Sequence, residues 1–124
     1  MVETGVDIVE IARIADLARR YGDRFGRRVF SAAEWLEFRD RPSSLAARFA
    51  AKEATIKALG WRDIALHEIR VQRQEDTRPT LELVGRARVR AQALGVHHLA
   101  LSLSHSREYA VAVVVVERDD ASVL

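Results

Sequence analysis

Hydrophobic and polar residues alternate with a period of two at the start of the chain, in its second half and near its end. The first such segment, V-E-T-G-V-D-I-V-E, places Val6 and Ile8 on one face and Asp7 on the other, which predicts a β-strand. I-R-V-Q-R and T-L-E-L-V predict a hairpin. H-L-A-L-S-L-S and E-Y-A-V-A-V-V-V-V-E predict two long strands, and the tight turn 105–107 between them favours antiparallel pairing.

The period changes to that of a helix directly after the first strand. Residues 11–21 place apolar side chains every three or four positions, and Gly22 can end this helix. Ser31 and Glu34 have the spacing of a capping box and predict the start of a second helix. The order of strands and helices predicts an α+β domain with helices packed on one side of a mostly antiparallel sheet. We expect it to be a single domain over residues 1–124.

A central helix, R-F-A-A-K-E-A-T-I-K-A-L-G from Arg48 to Gly60, departs from the single apolar stripe of a surface helix. Larger apolar side chains form one stripe and alanines form a second, so we expect two packed walls. Glu53 and Lys57 lie in one seam between the walls, and Arg48 and Lys52 lie in the other. Because charges beside packed surface need partners, we expect the chemistry here. Two stabilising charge pairs on an ordinary amphipathic helix are the alternative.

Composition and missing motifs narrow the function classes. The 124 residues contain no cysteine, which excludes disulfides, thiolate nucleophiles and zinc ribbons. No apolar run approaches the roughly 18 residues of a membrane helix, and no signal-peptide pattern is present, so we expect a cytoplasmic protein without a membrane partner. Glycine-rich phosphate loops, nucleophile elbows and H-E-x-x-H motifs are absent from the sequence, which disfavours common ATPases, hydrolases and zinc proteases.

Arginines are concentrated in the first third of the chain, where nine occur up to and including Arg48. A surface of this kind attracts an acidic partner. Nucleic acid is one candidate, but an aromatic content of 6% is low for a surface that stacks bases. An acidic protein is the other candidate.

Two carboxylates are candidate metal ligands. Asp7 lies in the middle of an apolar strand, where an unpaired carboxylate is unfavourable, although a solvated strand face is the alternative. With Glu53 it would supply the minimal protein contribution to a Mg²⁺ ion that keeps waters and substrate phosphates. The neighbouring cations Lys57, Lys52 and Arg48 would suit a polyphosphate on that ion.

His105 ends a predicted strand, so its imidazole stands in a turn. A turn histidine is most often simply exposed. Its neighbours Ser106 and Arg107 nevertheless supply donors that suit a phosphate oxygen.

Three blocks of sequence resemble the holo-acyl-carrier-protein synthases, the small, bacterial-type 4'-phosphopantetheinyl transferases. They are G-V-D-I-V-E-I, R-F-A-A-K-E-A-T-I-K-A-L-G and L-S-L-S-H-S-R-E-Y-A-V-A, and their order and spacing agree across nearly the whole chain. The central block is the most specific. The hairpin turn E-D-T-R-P lacks the glycine usual in the family, and residues 63–68 match least.

The resemblance implies transfer of 4'-phosphopantetheine from coenzyme A to a serine of an apo acyl carrier protein, with release of adenosine 3',5'-bisphosphate. By matching positions, Asp7 and Glu53 would hold Mg²⁺. The coenzyme A contacts it implies are Arg48, Lys52, Lys57, Gly60, His105 and Ser106. The implied catalytic residues are Glu53, Lys57 and His105, and the base stays open between Glu53, His105 and a water on the metal ion.

The resemblance also implies partners. The family assembles its sites between the subunits of a homotrimer. Acyl carrier proteins are acidic and helical, so the first helix becomes the expected docking surface, with contacts from Arg13, Leu17, Arg20 and Arg24. Two alternatives remain: a divalent-metal nucleotide phosphohydrolase and a non-enzymatic nucleic-acid-binding domain. Which carrier protein is served, and whether acyl-coenzyme A is accepted, stay open.

Overall fold

The structure is a computed structural model that describes residues 1–74 and 76–120. Its elements confirm the predicted α+β class. In chain order they are β1 (Val2–Glu10), α1 (Ile11–Tyr21), α2 (Asp23–Val29), α3 (Ala32–Phe38), α4 (Pro42–Leu59), a 3-10 turn (Leu66–Glu68), β2 (Ile69–Gln72), β3 (Thr80–Leu83), α5 (Gly85–Leu94), β4 (Val96–His105) and β5 (Tyr109–Arg118).

All strand pairing is antiparallel, as predicted, but it is divided between two sheets. The larger sheet has the order β1-β5-β4, so the last strand lies between the first strand and its hairpin partner. The smaller sheet is the hairpin of β2 and β3, which lies beside α4 and β4. In the larger sheet Asp7 pairs with Ala112, and Ala112 pairs with Leu103 on its other side. This register decides which side chains share a face.

The alanine-rich helix α4 packs across the larger sheet. Its alanines Ala46, Ala50, Ala51 and Ala54 are completely buried, as the two-wall interpretation requires. Contact with β1 is closest at Gly5, where an added Cβ would lie 1.9 Å from a backbone oxygen of α4. A strand can approach a helix this closely only where both side chains are small. The crossing point therefore fixes which residues of β1 and α4 meet.

The opposite face of the larger sheet is uncovered. Val6, Ile8 and Val113 point away from α4 and are 57%, 65% and 40% exposed. Val6 pairs directly with Val113, so these side chains form one contiguous apolar patch. Within the described residues, no helix has the length and hydropathy needed to span a membrane.

Candidate active site

Asp7 and Lys57 form the contact that begins the site. Asp7 lies two residues after the crossing point at Gly5, so its side chain points toward α4. The ammonium of Lys57 donates to Asp7 Oδ1 at 3.1 Å and to the carbonyl oxygen of Val6 at 3.0 Å. Asp7 therefore contacts a cation of α4, rather than lying on a solvated strand face, which was the alternative.

Glu53 shares this environment. It lies one helical turn before Lys57 on α4. Burial raises the pKa of the Glu53 carboxyl, and the negative charge of Asp7 raises it further, whereas Lys57 and Arg13 oppose the shift. The two carboxylates therefore act on each other electrostatically across the space between β1 and α4. The structure thus brings Asp7, Glu53 and Lys57 together.

The donor set at this place fits magnesium. Mg²⁺ is commonly bound by one or two carboxylates, with the other positions filled by water and substrate phosphates. Asp7 and Glu53 supply two such groups. Among the described residues, no group of three or more His, Cys, Asp or Glu side chains is placed to hold a metal ion.

His105 lies on the same face of the larger sheet as Asp7, at its edge. It is two residues beyond Leu103, which shares a register position with Asp7 through Ala112. Because β5 lies between the two strands, His105 and Asp7 are separated by two strand spacings, about 10 Å across the sheet. Both His105 and Ser106 are exposed, and Ser106 Oγ accepts from the backbone N–H of Tyr109 at 3.2 Å.

The position of Lys52 differs from the prediction that it contacts coenzyme A. Its side chain is completely buried. The ammonium donates to Glu34 Oε1 at 2.8 Å and to the carbonyl oxygens of Leu66, at 3.3 Å, and Ile69. Burial lowers the pKa of Lys52, while the carboxylate of Glu34 opposes that shift. All three N–H groups of the ammonium have protein acceptors, so Lys52 is a structural cation in this fold.

Arg48 lies on the same side of α4 as Lys52. Its guanidinium stacks over the ring of Phe38 with 3.6 Å between the guanidinium carbon and the ring centroid. Burial lowers the pKa of Arg48, and the carboxylates of Glu34 and Glu37 counteract this effect. A cation–π contact and a nearby carboxylate therefore hold this guanidinium in a fixed place.

Arg48 lines a cavity of about 430 Å³ together with Arg70 and Arg73 from the hairpin. We call this the arginine cavity. The Nε atoms of Arg48 and Arg70 are buried and have no hydrogen-bond partner within the described part of the chain. Arg70 and Arg73 were not among the predicted site residues. The alternation in I-R-V-Q-R indicates a polar face of β2 that includes Arg70, whereas Arg73 follows the strand and carries no such signal.

The predicted site residues thus fall into separate places around α4. We call Asp7, Glu53 and Lys57 the carboxylate cluster, and it lies on the side of α4 that faces β1. The arginine cavity lies on the side that faces α3 and β2. Gly60 ends α4 in the left-handed conformation, with φ of 67°, as expected for a C-cap. The expected docking residues Arg13, Arg20 and Arg24 of α1 and α2 are exposed, and Leu17 is half-buried. The positive charge of Arg13 lowers the pKa of the Glu53 carboxyl, which is the smallest of the effects on that group, and α1 packs against α4.

Comparison with known proteins gives one consistent family. Residues 3–114 match the 4'-phosphopantetheinyl transferase superfamily. The chain is 48% identical to a holo-[acyl-carrier-protein] synthase of Herpetosiphon aurantiacus, covering 93% of this chain and 98% of that protein. It is 47% identical to one of Dehalococcoides mccartyi, with 94% and 99% covered.

Solved structures agree with the sequence comparison. A Chronobacterium ammoniagenes protein described as an ACPS–CoA complex superposes with a TM-score of 0.84 at 33% identity, covering 97% of this chain and 99% of that chain. A Helicobacter pylori holo-[acyl-carrier-protein] synthase in complex with coenzyme A gives a TM-score of 0.81 at 32% identity, covering 92% and 99%.

Proposed function

We propose the following reaction for this chain, because it belongs to the 4'-phosphopantetheinyl transferase superfamily as an enzyme of the holo-acyl-carrier-protein synthase type. It transfers 4'-phosphopantetheine from coenzyme A to a serine hydroxyl of an apo acyl carrier protein and releases adenosine 3',5'-bisphosphate. The observation that carries this proposal is the contact of Lys57 with Asp7 beside Glu53, which combines a cation and two carboxylates at one exposed place.

In this reaction the serine oxygen forms a bond to the phosphorus that carries the pantetheine. The bond from that phosphorus to the bridging oxygen breaks, and the adenosine bisphosphate leaves with the electron pair. The protein's task is to position the reactants and to stabilise charge on phosphate oxygens, rather than to supply covalent chemistry. Mg²⁺, held by Asp7 and Glu53, would neutralise pyrophosphate charge as a Lewis acid when bound.

Lys57 is anchored in a position from which its ammonium can stabilise charge on a phosphate oxygen. Two oxygens of β1 hold its ammonium, yet the side chain is 55% exposed, so a third N–H group can reach a phosphate oxygen from solvent. The acceptor of the serine proton stays open between Glu53, His105 and a water on the metal ion.

The carrier protein is expected to dock on α1 and α2. Arg13, Arg20 and Arg24 present exposed guanidinium groups there, and the acidic helices of a carrier protein would complement them. Since α1 packs against α4, which carries Glu53 and Lys57, a carrier bound at this surface would bring its serine toward that helix.

A homotrimer would cover the open face of the larger sheet. Val6, Ile8 and Val113 form an apolar patch that a second protomer could bury. The carboxylate cluster and the arginine cavity lie on different sides of α4. This placement also suits a site that is shared between protomers. In such an assembly one coenzyme A would contact residues of two chains.

The test is to incubate the protein with coenzyme A, Mg²⁺ and an apo carrier protein and then to weigh the carrier by mass spectrometry. A mass gain equal to phosphopantetheine supports the proposal. Nucleotide cleavage that is independent of the carrier would indicate a phosphohydrolase instead. Steeply salt-dependent affinity for DNA or RNA, without transfer, would indicate a nucleic-acid-binding domain.

A further inference from the structure

One buried carboxylate joins the elements around the arginine cavity. Glu34, which is 5% exposed, begins α3 as part of the predicted capping box with Ser31. Its Oε1 accepts from the backbone N–H of Ser31 at 2.8 Å and from Lys52 Nζ at 2.8 Å. Its Oε2 accepts from the backbone N–H of Val71 at 2.9 Å. A single side chain therefore connects α3 to α4 and to β2.

Helix capping alone does not require this arrangement. An ordinary capping box works at the protein surface, and its glutamate then needs no charged partner. Here Glu34 and Lys52 are both buried, and taking two charges out of water is rarely repaid in stability. The ammonium of Lys52 extends the connection to the carbonyl oxygens of Leu66 and Ile69. The arrangement defines how these elements sit relative to one another.

The connected elements are those that carry the arginines. Glu34 itself lines the arginine cavity. Phe38, one turn further along α3, lies under the Arg48 guanidinium, and Arg48 lies one turn before Lys52 on α4. Arg70 and Arg73 flank Val71 on the hairpin. Any shift of α3 or β2 would therefore change the spacing between the three guanidinium groups.

The charges around the cavity give this spacing a functional consequence. Three arginines, Arg48, Arg70 and Arg73, line it against two carboxylates, Glu34 and Glu37, so an anion that enters meets a lining with excess positive charge. We propose that Glu34, through its ion pair with Lys52, is a positioning residue for the arginine cavity and sets the affinity for the phosphates of coenzyme A without touching them. This inference rests on the proposed function and on the coenzyme A contact that the family resemblance implies for Arg48.

The test replaces both charges by apolar side chains, in the double variant Glu34→Leu with Lys52→Met. Exchanging both members of the pair avoids leaving one charge buried alone, at the cost of the backbone hydrogen bonds that Glu34 and Lys52 make to Ser31, Val71, Leu66 and Ile69. We expect the double variant to fold and to show a KM for coenzyme A raised at least ten-fold. We expect kcat at saturating coenzyme A, and KM for the carrier protein, to change less than three-fold.

A matched control removes an ion pair elsewhere. Arg118 Nη2 lies 3.3 Å from Glu3 Oε1 in the larger sheet, away from α3 and the hairpin. Glu3→Leu with Arg118→Met deletes the same pair of charge types. Its KM for coenzyme A should stay within two-fold of the unmodified protein.

The outcomes separate the two proposals. No transfer by the unmodified protein would overturn the proposed function itself. Transfer by the unmodified protein, with an unchanged KM for coenzyme A in the folded Glu34→Leu/Lys52→Met variant, would overturn only the positioning role. Equal losses in kcat and in both KM values would also overturn it, because a merely structural defect acts on all of them. If that variant does not fold, Glu34→Gln with Lys52→Met replaces it, since the amide oxygen can still accept from Ser31, and the same rise in KM is required.

Discussion

Replacement of Asp7 by asparagine should reduce the rate of transfer much more than it reduces the stability of the fold. Asp7 is 17% exposed and Lys57 is 55% exposed, so their ion pair at 3.1 Å is largely screened by solvent. A pair of this kind contributes about 0.5 kcal/mol, and asparagine can still accept the hydrogen bond from Lys57. We therefore expect Asp7→Asn to lower the free energy of unfolding by less than about 1 kcal/mol.

The expected effect on transfer is much larger. Loss of a contact that stabilises charge in the transition state typically costs about 3–4 kcal/mol, or 100- to 1,000-fold in kcat. The same substitution removes a negative charge that raises the pKa of Glu53. It would also deprive the proposed Mg²⁺ ion of one of its two carboxylates. We expect kcat to fall 100-fold or more, with a higher Mg²⁺ concentration needed for half-maximal rate.

The assay combines mass spectrometry of the carrier protein over time with thermal unfolding of the enzyme. Glu3→Gln is the matched control, because Glu3 lies on the same face of β1 and contacts a cation, but it is remote from Glu53. It should change kcat less than two-fold. Asp7→Asn with more than a tenth of the unmodified activity at limiting Mg²⁺ would refute the assignment of Asp7 to the reaction.

Three further predictions follow from single contacts. Arg20→Glu should raise KM for the carrier protein at least ten-fold in steady-state kinetics while leaving KM for coenzyme A within two-fold; an unchanged carrier KM would remove Arg20 from the docking surface. Glu53→Gln should raise the melting temperature at neutral pH in the absence of metal. A carboxyl with raised pKa stabilises the fold only while protonated, so this gain should vanish as the pH falls through its unfolded pKa, and a gain that persists at acid pH would contradict the argument. Gly5→Ala should lower the free energy of unfolding by about 3 kcal/mol or more in denaturant titrations, because its Cβ would meet the backbone of α4. Gly22→Ala, which has open space around it but a backbone conformation unfavourable for an L residue, should cost about 1–3 kcal/mol, and a smaller cost for Gly5→Ala than for Gly22→Ala would contradict the close crossing.

Local patterns predicted most of the fold because the physical causes are themselves local. The alternation around Asp7 identified β1 and its two faces, and the Ser31–Glu34 spacing identified the start of α3. The division into two sheets was not predictable in this way. It depends on β5 entering between β1 and β4, which are far from each other in sequence.

Site residues were harder to assign, because a helical wheel shows which side chains share a seam but not what covers the seam. Glu53 and Lys57 lie in a seam bordered by β1 and solvent, and they keep some exposure. Lys52 lies in a seam closed by α3 and by the start of β2, which are supplied by other parts of the chain. The same spacing along one helix therefore produced one accessible cation and one buried cation.

The buried position explains why lysine is retained in a chain where 18 of 20 cationic residues are arginine. The site of Lys52 offers three oxygen acceptors around one point, from Glu34, Leu66 and Ile69, in a space with no exposure. A tetrahedral ammonium satisfies such a set with three N–H groups, whereas a planar guanidinium carries five donors and would bury at least two without partners. The same reasoning applies to Lys57 at the surface, because its ammonium donates to two oxygens of β1 and one N–H group has no partner among the described residues. Both lysines are thus placed where a compact charge can be shared among several oxygens. Lys52 holds elements of the fold together, and Lys57 is the residue proposed to contact a substrate phosphate.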